Sequence, residues 1–201
     1  MALAKQYEQL VEKHCYTEAE YFEIEHRSEG RWEYVNGHVR LMAGGSDDHN
    51  TISMNVAGSL RSVLLPKGCR VYGSDMKLHT GDGVNTFPDV SVVCGDRQYY
   101  LGKDHVIINP LLIVEVLSPS TRDYDQGDKF RHYQTIDSLQ EYLLVEPDTP
   151  AIRLYTRREG FWEFREIVGL ESTFTLQSVE VTLALTEIYA LIDFQTKPNT
   201  E

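Results

Sequence analysis

The chain has 201 residues, 41% of them hydrophobic, which is enough for one domain with a sizeable core, or one domain with an appendage. Its 31 acidic residues against 19 basic ones leave a net charge of −12, a field that repels a phosphate backbone and argues against a non-specific nucleic-acid binder. No apolar run approaches the roughly 18 residues that span a bilayer, and the charged start lacks the plan of a signal peptide, so a cytoplasmic protein with no membrane partner is expected.

The first thirty residues read as helical. Leu3, Tyr7, Leu10 and Val11 share one face, and Thr17 with Glu20 forms the capping box of a second helix. The period then changes to two, and Asn36-Gly37 between the alternating segments Arg31–Val35 and His38–Met42 marks a β-hairpin. Helical spacing returns with Ile52, Val56, Leu60, Val63 and Leu64 on one stripe, ended by Pro66-Lys67-Gly68. Three strand-like runs follow, Cys69–His79, Phe87–Cys94 and Leu111–Leu117, then a short helix around Gly127–Gln134 and a strand in Glu141–Pro147. A second hairpin turns at Glu159-Gly160, and residues 179–192 add a strand and a last helix. These elements imply an α/β domain with a mixed sheet over 31–194, preceded by a helical segment at 1–30 and followed by a frayed tail at 195–201. Cys15, Cys69 and Cys94 are odd in number and lack metal-ligand spacing, so reduced core thiols are expected.

Two carboxylates stand out. Glu115 interrupts Leu111-Leu-Ile-Val-Glu-Val-Leu117, a run apolar on both faces as an inner strand should be, and Asp89 sits at the head of the apolar run Val90–Val93. A buried carboxylate needs a partner or a cation. On neighbouring strands these two would converge, and the hard oxygen pair would suit Mg2+, with Mn2+ as a substitute.

Together with Tyr72-Gly73-Ser74-Asp75, the downstream Gly127-Asp128-Lys129-Phe130 and Leu139–Pro147, these stretches resemble the Uma-two family of restriction-endonuclease-like proteins, within the PD-(D/E)xK nuclease superfamily. The resemblance covers roughly 30–190 and implies a restriction-endonuclease-like mixed sheet flanked by helices, with added N-terminal helices and β-hairpins. It also implies a Mg2+-dependent endonuclease acting on DNA, with Asp89 and Glu115 as metal ligands. The superfamily lysine falls two residues after the acid, where this chain has Leu117. The resemblance makes Lys129, on the next helix, the substitute, with His132 and Tyr133 on the same face and Asp125 and Asp128 as solvent-facing helix caps.

Each residue also has a plainer reading. Asp89 could cap a turn, Glu115 could pair with Arg122 or Arg131, and Lys129 could be a solvated helix lysine. Glu33 faces Arg40 across the hairpin and is explained by an ion pair, or else it is a further acid of the site. His49 either caps its helix or nears the cluster, and Asp75, read as mid-strand beside Lys77, leans to the site edge. Two other functions stay open: a non-catalytic binding or assembly module, and a phosphodiesterase acting on a small phosphorylated molecule. The aromatic hairpins, with Trp32, Tyr34, Phe161, Trp162 and Phe164, offer surface for a homodimer.

Overall fold

The computed structural model describes residues 15–28, 30–42 and 44–194. The expected first helix through Leu3–Val11 and the tail at 195–201 lie outside these. Helix α1 (Glu18–Arg27) starts where the capping box predicts: Glu20 N donates to Thr17 Oγ1 at 3.3 Å, and Thr17 N donates to Glu20 Oε2 at 2.9 Å. Its buried residues Tyr21 and Ile24 pack against Trp32 and Val39 of the hairpin that follows.

That hairpin joins β1 (Trp32–Val35) to β2 (His38–Leu41), with Val35 opposite His38 and Glu33 opposite Arg40. Asn36 and Gly37 both adopt positive φ, 50° and 86°, the geometry that matches the strand twist and that Asn-Gly adopts at least cost. Helix α2 (Asp47–Leu64) is capped by Ser46 and buries Ile52, Val56, Leu60 and Leu64 as one stripe. Pro66, in the 3-10 turn Leu65–Lys67, cannot continue it.

The expected single strand over 69–79 is two. A turn in which Met76 N donates to Gly73 O at 3.1 Å separates β3 (Arg70–Gly73) from β4 (Lys77–His79), and the two enter different sheets. The smaller sheet has the order β2-β1-β5-β4-β7, where β5 is Asn85–Thr86 and β7 is Val106–Ile107. The larger, six-stranded sheet runs β11-β10-β9-β8-β6-β3. In it β6 is Val90–Val93, β8 Leu112–Val116, β9 Glu141–Val145, β10 Ala151–Arg158 and β11 Phe161–Val168. All neighbours are antiparallel except β8 and β9, whose parallel pairing requires a crossover. Helices α3 (Arg122–Gln126) and α4 (Asp128–Gln134) supply it. The expected helix around Gly127–Gln134 is α4, and α3 precedes it as an addition, separated by a backbone break at Gly127 with φ −111° and ψ −97°. A last hairpin, β12 (Thr173–Leu176) with β13 (Val181–Ala184), and α5 (Leu185–Ile188) complete the fold.

The pleat of β8 divides the core. Leu112, Val114 and Val116 face α2, β12, β13 and α5, whereas Ile113 and Leu117 face α4 with Phe130, Tyr133 and Tyr142. Glu115, between Ile113 and Leu117 in that alternation, therefore points toward α4.

Cys69 and Cys94 form a disulfide, which corrects the expectation of reduced thiols. The register of β3 with β6 pairs Arg70 with Val93, so the flanking residues, Cys69 and Cys94, also lie opposite. No sequence spacing announces a bridge made by cross-strand register. Cys15 is free and exposed. Trp32 is buried at 3% exposure and offers no surface to a second copy, while Phe161 and Phe164 stand exposed on β11. Among the described residues no helix is long and apolar enough to cross a membrane.

Candidate active site

In the antiparallel pair β6–β8, Val90 lies opposite Val114. Continuing that register by one residue sets Asp89 opposite Glu115, on the face toward α4. The two are joined through the backbone: Asp89 N donates to Glu115 Oε2 at 3.4 Å, and Val116 N donates to Asp89 Oδ2 at 2.8 Å. Each carboxylate is thus held by a main-chain donor of the neighbouring strand.

Lys129 comes from α4. Its Nζ lies 2.8 Å from Glu115 Oε1 and 3.3 Å from Asp125 Oδ1, and the residue is 6% exposed. It is a buried ammonium between carboxylates, not a solvated helix lysine. One turn along the same helix, Tyr133 donates its hydroxyl to Glu115 Oε1 at 2.6 Å. Burial pushes the Glu115 carboxyl up to about 8, against the pull of Lys129 and with the support of the Asp89 and Asp125 charges. Burial alone would lower Lys129, but Glu115, Asp125 and Glu33 outweigh it and hold the ammonium above its ordinary range.

His49 joins the cluster as well as its helix cap. Its backbone N donates to Ser46 Oγ at 3.2 Å, and its Nε2 lies 3.1 Å from Asp89 Oδ2. The hydrogen bond to Asp89 raises the imidazole pKa, with burial opposing. Glu33 does not pair with Arg40. Its Oε1 instead accepts from Thr86 Oγ1 and, at 3.3 Å, from Phe87 N, so it faces the start of the strand that carries Asp89. Asp75 is the residue that the structure removes from the group. It sits in the β3–β4 turn, its side chain 97% exposed, and pairs with Arg31 at 3.3 Å. Arg122 and Arg131 do not serve Glu115 either; they pair with Glu146 at 2.5 Å and Asp128 at 2.9 Å.

Asp125, expected at the surface, is buried at 2%. Its role is visible in the sequence only as an acid four residues before a lysine, a spacing that faces the two on a helix. Asp128 is exposed, as expected.

Among the described residues no group of three or more His, Cys, Asp or Glu side chains is placed to hold a metal ion by itself. The donors fit Mg2+ nonetheless. Magnesium is usually bound through one or two carboxylates, keeping water or substrate oxygens in its other positions, and Asp89 and Glu115 are two hard-oxygen donors facing each other.

Residues 18–186 match the family Uma2, described as "Putative restriction endonuclease". The chain belongs to this family. Two uncharacterized proteins of Synechocystis sp. are similar to it. The protein slr1290 is 36% identical over 177 residues, 87% of this chain and 92% of that one. The protein sll1609 is 31% identical over 155 residues, 76% and 88% of the two chains. A crystal structure of "a putative nuclease belonging to DUF820" from Anabaena variabilis aligns with a TM-score of 0.65 at 19% identity, covering 81% of this chain and 91% of that one. This likeness is one of fold: the mixed α/β architecture of this Uma2 chain is that of the Anabaena structure.

Proposed function

We propose that this Uma2 protein is a Mg2+-dependent endonuclease that hydrolyses phosphodiester bonds of DNA, with Asp89 and Glu115 as metal ligands and Lys129 as the catalytic cation. The observation that carries this reading is the placement of the Lys129 ammonium 2.8 Å from Glu115, opposite Asp89. When bound, the divalent cation supplies Lewis-acid polarisation of the phosphate and a lowered water pKa. The chain does the rest. Tyr133 fixes one oxygen of Glu115, and Val116 N and His49 fix one oxygen of Asp89, so neither carboxylate must reorganise when a substrate arrives. Lys129 is positioned to steady the attacking water or the charge developing on the phosphoryl oxygens, the work that Leu117 cannot do from the strand.

Cleavage of a supercoiled plasmid in Mn2+ or Mg2+ tests this. Wild type should nick it and Asp89→Asn should not, while both melt alike in EDTA; equal cleavage by the two proteins would refute it.

A second reading is favoured by the contact between Lys129 and Asp125. An ammonium held by two carboxylates also suits a structural counter-ion in a non-catalytic member of the fold. That reading predicts no Mn2+ binding in calorimetry. We further propose a homodimer through the exposed Phe161 and Phe164 of the edge strand β11. A monomer in light scattering at micromolar concentration would exclude it.

A further inference from the structure

The net charge of −12 leaves a nuclease with a problem: its substrate must approach against the field of the molecule. The cleft between the β1–β2 hairpin and α3–α4 offers a local solution. Its volume is about 390 Å³, and its walls include His38, Arg40, Tyr124, Arg131 and His132.

We infer that this cleft holds the phosphate backbone of a nucleic-acid strand and leads it to the Asp89–Glu115 pair, an inference that rests on the phosphodiesterase reading of that site.

Three features point to an anionic strand, and the His132–Asp82 pair fixes the cleft wall beside them. First, Arg40 is exposed, and among the described residues it has no carboxylate within ion-pair distance, because Glu33, its cross-strand neighbour, is turned toward Thr86 and Phe87. Its guanidinium instead lies 5.8 Å from the centroid of the Tyr124 ring. Such a cation keeps its full charge for an incoming phosphate, and its planar fork matches phosphate oxygens.

Second, the Tyr124 hydroxyl is buried without a hydrogen-bond partner among the described residues. Leaving it so costs about 1–3 kcal/mol, a cost that a bound acceptor would remove. Burial raises this phenol to about 12, with the Glu33 charge adding to the shift and Lys129 and Arg40 opposing it. It is therefore a donor at neutral pH, within the electrostatic reach of both the site lysine and the cleft arginine. Tyr124 also precedes Asp125, which touches Lys129, so the cleft and the site share one stretch of helix.

His132 Nδ1 is held by Asp82 Oδ2 at 2.6 Å, and Asp82 Oδ1 accepts from Thr80 Oγ1 at 2.6 Å. The Nδ1–H donated to Asp82 fixes the ring on the cleft wall that His132 lines. Third, Arg131 pairs with Asp128 at 2.9 Å on an exposed turn, leaving two guanidinium groups to one carboxylate along the cleft. Guanidinium and phenol donors suit phosphate oxygens, so binding should depend little on base sequence.

The test uses the full chain in EDTA, a fluorescein-labelled DNA oligonucleotide and anisotropy over a salt series. Arg40→Ala should weaken binding on the order of 10-fold and flatten the slope of log K against log salt by about 0.7–0.9, the change expected for one lost phosphate contact. Arg165→Ala, an exposed arginine of β11 outside the cleft, should change neither. Tyr124→Phe should weaken binding without altering the slope. Mn2+ affinity should stay the same in all three, and melting curves report folding. If Arg40→Ala behaves like Arg165→Ala, the cleft assignment is overturned while the metal site stands. A wild type that hydrolyses bis(4-nitrophenyl) phosphate with Mn2+ but binds no oligonucleotide overturns the cleft and leaves a small-substrate phosphodiesterase. A wild type with no Mn2+ affinity and no hydrolysis overturns the reading on which the cleft rests.

Discussion

Replacing Lys129 by alanine should destabilise the metal-free protein strongly, and the size of the loss should depend on pH and on metal. The substitution leaves Glu115 and Asp125 buried without the cation that lies 2.8 Å and 3.3 Å from them. Breaking a buried ion pair by removing one partner costs about 3–5 kcal/mol. For a chain of this length that corresponds to a melting-temperature drop of about 6–20 °C. Glu115 moderates the loss at low pH. Its folded-state pKa, about 8, lies above the ordinary 4.5, so the folded state binds the proton more tightly and loses stability as pH rises between those values. Lys129 opposes that shift, so its removal pushes the carboxyl further up. The variant should then lose about 1 kcal/mol less at pH 6, where Glu115 is neutral in both proteins, than at pH 8.5, because Asp125 is left without its cation at either pH. Mn2+ restores a positive charge beside Glu115 and should raise the melting temperature of the variant more than that of wild type. Scanning fluorimetry at both pH values, in EDTA and in Mn2+, measures all four quantities. A variant melting within about 2 °C of wild type at pH 8.5 in EDTA, or losing as much at pH 6, would refute the buried-counter-ion argument.

In saturating Mn2+, Lys129→Ala should slow cleavage on the order of 100-fold, and Lys129→Arg should recover little, since a guanidinium does not reproduce the compact ammonium; plasmid nicking rates decide this. Tyr133→Phe removes the hydroxyl that donates to Glu115 Oε1 and should cost about 1.5–3 kcal/mol in urea denaturation at pH 8.5, and an unchanged denaturation midpoint would refute that role. Mn2+ binding should tighten as pH rises from 6 to 8.5 and release about one proton from Glu115, read by calorimetry in buffers of different ionisation enthalpy; a pH-independent affinity would contradict it. Reducing the Cys69–Cys94 bridge should lower stability by about 2–4 kcal/mol, checked by denaturation with and without reductant in the absence of metal.

The hairpin turn at Asn36-Gly37, the capping box at Thr17 and the apolar stripe of α2 are all legible in the sequence, because each is a local pattern with a local cause. The carboxylates are legible for the opposite reason: Asp89 and Glu115 violate the apolar run in which they sit. What cannot be read depends on distant pairing. The turn that splits 69–79 into strands of two sheets has strand-like residues on both sides, and the Cys69–Cys94 bridge exists only through the β3–β6 register. Asp125 looks like a helix cap in sequence because the break at Gly127 leaves it inside the crossover, not at its exposed start. Asp75 is drawn toward the site by its place in a recurrent stretch, although the turn carries it into solvent. Arg40 and Tyr124 give no signal at all, since their meeting joins a hairpin to a helix 84 positions later (124 − 40).

Leu117 is fully buried at 0% exposure among Ile113, Phe130 and Tyr133, and its burial constrains how such a site can change over evolutionary time. A lysine at position 117 would have a fixed address on the strand, tied to its acid by the pleat. On α4 the ammonium depends on how that helix rests on the sheet, so under the proposed reading any residue beneath the helix becomes a lever on the chemistry. Trimming Leu117 or Phe130 would reposition the cation without touching a charged group. Moving the lysine back should need two exchanges at once: a lysine at position 117 gives up the apolar contacts of Leu117, and losing Lys129 leaves Glu115 and Asp125 without their cation. Each single substitution in that direction should cost stability, so the helical address would act as a ratchet.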